Sequence, residues 1–230
     1  MPRPYLCAAS IPPPISPISL FRLRLRRLLS PLPPSAVGGT GRDRLFQVLD
    51  VLGVFDLYEG ITNALSPGLR PLTPRERELL YPIFRDSVPY ARIRIDERAH
   101  FGPRRYRFYY VSFHTINSWG PMSDPTLVHE VVHVWQYVHR GAIYIPRALA
   151  AQRTRAGYNY GGLAGLAANR GLDDFNYEQM ADLVEDAYRL ANGYPAQWVY
   201  GRTAEIIGCY SRYLSELCTH TLPHAYRTNR

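Results

Sequence analysis

The chain has 230 residues, 46% of them apolar, with 27 basic and 19 acidic side chains for a formal charge of +8; this length holds one sizeable core, not two full domains. Every base is arginine, and six of them (Arg3, Arg22, Arg24, Arg26, Arg27 and Arg42) lie in residues 1–42, which hold no acid, so the remainder carries 21 − 19 = +2. A body so near neutrality gives no electrostatic case for a nucleic-acid partner, and no run approaches the roughly 18 apolar residues of a transmembrane helix.

Residues 1–41 contain nine of the twenty prolines, an alternating Phe21-Arg22-Leu23-Arg24-Leu25-Arg26-Arg27-Leu28-Leu29 run and a Gly38-Gly39-Thr40-Gly41 hinge. Such composition buries too little apolar surface to fold alone. The expectation is a disordered Pro/Arg-rich tail over 1–42, or a gene start read too far upstream, then one catalytic domain over 43–230. A targeting or export segment and membrane-surface attraction are the alternatives. Prolines interrupt any secretory apolar core, so the choice between bacterial cytoplasm and export stays open.

From 44 to 65 the apolar residues Leu45, Val48, Leu49, Leu52, Val54 and Phe55 recur at helical spacing, interrupted by Gly53 and ended by Ser66-Pro67-Gly68. Thr73-Pro74-Arg75-Glu76 supplies an N-cap, a first-position proline and a first-turn acid for a helix to about residue 84. Two strands of a small sheet are expected next, at 91–96, which alternates with period two, and at 106–113, rich in aromatic and β-branched types; Asn117-Ser118-Trp119-Gly120-Pro121 reads as a turn.

Asp124-Pro125 then opens a helix expected to run to Arg140, with Gly141 as its stop and apolar side chains nearly all round. Within it stands His129-Glu130-Val131-Val132-His133. Histidines four apart leave one helix face a turn apart, the spacing at which both can bind one Zn²⁺. Glu130, beside the first, can take a proton from water activated by the metal and hand it to a leaving amine. The spacing alone arises by chance on the order of once per hundred chains of this composition; the capped helix and uncharged flanks set it apart.

Two residues compete as third ligand. His139 has metzincin spacing, but Gln136 stands where a glycine would let the chain turn back. On a continuing helix His139 points roughly 120° away from His133. Glu178 begins a second helix, 177–192, and Asp182 four residues on shares its face, placed to accept the free ring N–H of a ligating histidine. Glu178 is therefore the expected ligand and Asp182 its support, with Glu185 and Asp186 facing solvent. A further helix is expected over 203–218. The three cysteines have no metal-ligand spacing, and Cys209 and Cys218 could form at most one bridge.

His-Glu-x-x-His followed by Glu-x-x-x-Asp resembles the gluzincin metallopeptidases. More narrowly, Leu72-Thr73-Pro74, the 91–95 strand, residues 128–136 and Tyr177-Glu178-Gln179 resemble bacterial zincin-like domains found near Rhs, Vgr and injection-system proteins. Glu178 follows His133 by 45 residues, farther than in thermolysin-like enzymes, which makes the Tyr158-Asn159-Tyr160-Gly161-Gly162 region an insertion. The resemblance implies an α+β zincin-like fold, a small twisted sheet packed on the motif helix with a mainly helical C-terminal part, and one Zn²⁺ per chain.

The expected function is a zinc-dependent endopeptidase acting on a peptide or protein, with Glu130 as general base, ligands His129, His133 and Glu178, and Tyr158, Tyr160 or His114 as donor to the oxyanion. By analogy, the strand ending at His114 forms the cleft wall. The alternative is a non-catalytic zincin-fold docking module of a secretion or injection system. The residues give no oligomeric state.

Overall fold

The computed structural model describes residues 16–33, 39–99, 108–201 and 203–227. It is a mostly helical α+β fold with a four-stranded mixed sheet. The chain opens with three helices, α1 (Pro17–Leu29), α2 (Thr40–Val51) and α3 (Val54–Leu65). Gly53, at φ 72°, makes the sharp break between α2 and α3, a conformation that an L side chain resists.

Helix α1 departs from the disordered tail expected for 1–42, and the boundary placed at 43 falls inside α2. Ser16 caps α1 and Pro17 starts it. What fixes it is tertiary: buried Arg24 bonds Asp50 at 2.9 Å, Asp56 at 2.5 and 2.7 Å and the Tyr137 hydroxyl at 3.0 Å. Composition of the segment alone contains none of those partners. The rest of the tail expectation, residues 1–15 and 34–38, lies outside the described residues.

Strand β1 (Leu69–Pro71) precedes α4 (Pro74–Phe84), which Thr73 and Glu76 close with reciprocal capping hydrogen bonds. Strands β2 (Arg94–Asp96), β3 (Tyr110–Ser112) and β4 (Thr115–Asn117) complete a sheet of order β1-β2-β4-β3, antiparallel except for β2 beside β4. The 106–113 expectation thus survives only as β3, its first two residues lying outside the described ones. The chain reverses at Phe113, φ 62°, and His114, and β4 takes a stretch that ends in the expected turn cluster.

Helix α5 (Asp124–Arg140) is the expected motif helix, except that Ser123 rather than Asp124 is its cap. Every side chain from Leu127 to Val138 is buried. Two short helices follow, α6 (Tyr144–Ala151) and α7 (Gly162–Ala168), then α8 (Tyr177–Ala191), capped by Asn176. Helices α5 and α8 pack along one another at the centre of the core, with β3 and β4 on the far side of α5. The helix expected over 203–218 is broken at Cys209 and Tyr210 into α9 (Ala204–Gly208) and α10 (Ser211–Thr219), and both cysteines are unpaired. Among the described residues no helix is long and apolar enough to cross a membrane.

Candidate metal centre

His129 and His133 leave α5 toward α8, and Glu178, in the first turn of α8, meets both. The Glu178 Oε2 atom lies 3.5 Å from Nε2 of each histidine, and the three donor atoms fall within 4.8 Å of one another, so the group could hold a metal ion.

The opposite ring nitrogens explain why the Nε2 atoms face inward. His133 Nδ1 stands 2.8 Å from Gln136 Oε1, and the same amide donates from Nε2 to the Tyr177 carbonyl at 2.9 Å. Because that amide nitrogen is committed, its oxygen faces the ring and fixes the proton on His133 Nδ1. His129 Nδ1 lies 3.0 Å from Asp182 Oδ1 and 3.1 Å from Glu185 Oε2, which fixes its proton likewise. Both Nε2 lone pairs are left free. Gln152, just after α6, donates to Glu178 Oε1 at 2.8 Å and orients the third donor.

Asp182 therefore sits where its spacing from Glu178 placed it, its other oxygen held by the Trp198 indole at 2.6 Å. Glu185 and Asp186 correct the expectation of solvent-facing acids, since both are buried. Glu185 joins His129 to Arg189, and Asp186 accepts from the backbone of Gln197 and Trp198 and from Tyr160. Glu178, Asp182 and Glu185 are spaced i, i+4, i+7, one stripe of a helix, so the spacing itself was a signal for Glu185. His129, Asp182 and Glu185 form a second group that could hold a metal ion. Arg189 and Trp198 already satisfy the outer oxygens of that group, and an imidazole serves cations at both nitrogens only as an imidazolate. The first group is favoured.

Glu130 is buried, and its Oε2 has no hydrogen-bond partner among the described residues. Among the described residues, four buried carboxylates, Glu130, Glu178, Asp182 and Glu185, meet one cationic side chain, Arg189, giving −4 + 1 = −3 with the histidines neutral. So much uncompensated charge away from water calls for protons or a cation. Burial works against charge on His129, but its bonds to Asp182, Glu178 and Glu185 outweigh this and hold the imidazole well above its usual range. His133 is raised by Glu178 against the same desolvation. Burial acts to raise Glu178 too, yet the two imidazoles hold it below the carboxylate range; Glu130 is raised, chiefly by burial.

The three expected oxyanion donors separate. Tyr158 lies beside the donors, its ring 6.1 Å from that of His129, and its hydroxyl is pushed up to about 12 by burial and by Glu178. Tyr160 does not face them: its hydroxyl bonds Asp186 at 2.8 Å and Tyr210 at 2.6 Å. His114 turns to α3, where Glu59 accepts from its backbone N–H at 2.8 Å and lies 3.1 Å from Nδ1. Tyr109, stacked on Trp119, feels the Glu130 charge and is a neighbour of the site that no spacing signalled. His139 is turned to the Ser87 carbonyl at 2.7 Å, and burial lowers it to about 4.

Against protein-family models, curated proteins and solved structures, the chain finds no match.

Proposed function

We propose that the protein is a zinc-dependent hydrolase of the zincin type, with a peptide bond as its target. One observation carries this reading: two histidines with Nδ1 committed to acceptors direct Nε2 at one carboxylate oxygen, beside a buried glutamate oxygen that has no partner among the described residues. Four-coordinate zinc at roughly 2.1 Å from its ligands requires ligand-to-ligand edges of about 3.4 Å. The two His–Glu edges of 3.5 Å fit that size. Imidazole donors favour zinc over magnesium or calcium, which take oxygen.

Zinc held there supplies Lewis-acid polarisation of a carbonyl and acidification of water. Glu130 then does the proton work. Its Oε2, uncommitted among the described residues, takes a proton from water and returns it to the departing nitrogen. Gln136, Asp182 and Glu185 keep the imidazoles in one tautomer, and the Tyr158 hydroxyl donates to the oxygen that gains charge as the carbonyl becomes tetrahedral. A purely structural zinc centre, closed by four protein ligands, would leave no use for a buried free carboxylate at its edge.

The test is Glu130→Gln measured beside the wild type for zinc content and for cleavage of a proteome-derived peptide library. The expected result is about one zinc per chain in both, with cleavage in the wild type alone. Equal cleavage by both sinks the general-base role; no cleavage by a zinc-loaded wild type would favour the non-catalytic docking module.

A further inference from the structure

Each of the first three helices carries a buried or half-buried charged residue whose neighbours two positions away point outward, as expected for a step of roughly 200° around a helix. On α1 this residue is Arg24, flanked by exposed Arg22 and Arg26; on α2 it is Asp50, flanked by exposed Val48 and Leu52; on α3 it is Glu59, flanked by exposed Leu57 and Ile61. The inner residues converge on one point of the core. Arg24 bonds Asp50 and the Tyr137 hydroxyl, and Glu59 holds His114, whose ring packs on Tyr137 at 5.1 Å. The outer faces of the three helices therefore lie together on the side away from the core.

That outer side is apolar and cationic. Leu52, Leu57 and Leu65 are 70%, 66% and 78% exposed, and α3 has no buried residue at all. Singly exposed leucines are ordinary, but a face of them across two adjacent helices marks an interaction surface. The charges are sorted as well. Each of the four acids of α2 and α3 has a partner: Asp43 meets Arg147, Asp50 and Asp56 share Arg24, and Glu59 lies against the His114 ring. On the outer face of α1, Arg22 and Arg26 are exposed and have no acidic partner among the described residues.

We infer that this face docks on an anionic lipid surface, with the leucines entering the headgroup boundary and Arg22 and Arg26 pairing with lipid phosphates. Charge decides the occupant. A second copy laid face to face would bring the same unmatched arginines against these, whereas an anionic bilayer supplies both the apolar depth and the opposite charge. The inference is independent of the metal centre.

The experiment is flotation of the full-length protein with vesicles of phosphatidylcholine alone and of phosphatidylcholine containing about 30% phosphatidylglycerol. Binding is expected only to the second and should weaken with salt. Leu57→Ser with Ile61→Ser should weaken it at least about tenfold. Substitution of Arg22 and Arg26 by Gln should cost about fivefold per residue. These side chains are exposed, so unchanged circular dichroism and melting of the variants keep any loss assigned to the face. Failure to float with either vesicle overturns the proposal, as does binding that survives the serine pair. A mass that doubles with concentration and reverts to monomer in the serine variant assigns the face to a second copy instead, and also overturns it.

Discussion

Gln136 Oε1 lies 2.8 Å from His133 Nδ1 while its amide nitrogen is held by the Tyr177 carbonyl, so one side chain joins the tautomer of a candidate ligand on α5 to the backbone at the start of α8. Gln136→Leu keeps the volume roughly but leaves a buried ring N–H unpaired and takes one of its donors from the Tyr177 carbonyl. Metal affinity should fall about 10- to 100-fold in chelator competition. Stability should fall by about 2–4 kcal/mol in urea unfolding. An unchanged affinity would mean that His133 keeps its tautomer without this contact.

The metal-free protein should lose stability as pH rises. His129 and His133 are raised in the folded state above their unfolded value near 6.5. Their contribution is fully present below that value and is lost as pH climbs through the folded one. Bound metal needs neutral imidazoles, so it replaces the protons, and its gain in melting temperature should grow from pH 6 to pH 9. Parallel melting curves with zinc and with chelator at several pH values check this. A metal-induced gain that shrinks with pH would contradict it.

Tyr158 and Tyr160 should behave oppositely. Tyr158→Phe removes a hydroxyl beside the donors and should lower kcat about 10²- to 10³-fold with KM little changed. Tyr160→Phe breaks the bridge between Asp186 and Tyr210 and should lower the melting temperature with kcat retained. Kinetics and calorimetry on the two variants separate these roles.

Arg24→Met should destabilise the protein by about 3 kcal/mol, because buried Asp50 loses its closest cation. Adding Asp50→Asn should recover part of that loss. A single variant as stable as the wild type would show that α1 contributes little to the fold.

The long elements were legible because their signals are local. The capping sequence before α4, the Gly53 break and the apolar wrap of α5 are each carried by residues adjacent to the structure they cause. Glu178 and Asp182 were readable from a spacing of four, and Glu185 extends the same stripe to seven. The strands were less legible: each of the four spans three residues, too short for a period of two to establish itself. Helix α1 depends on acids from α2 and α3, and Gln136 gains its role only when α8 arrives beside it. Neither contact leaves a trace in the local sequence.

Every donor atom of the favoured metal group comes from two rods, α5 and α8, while the connection over residues 141–176 brings Gln152 and Tyr158 to their surroundings. A one-residue slip of α8 would swing Glu178 by about 100° and dismantle the set. Bound metal is thus a cross-link that records the register of two helices far apart in sequence. Lengthening the connection around Ala167 or Ala168, beyond both contributing residues, should leave that register untouched.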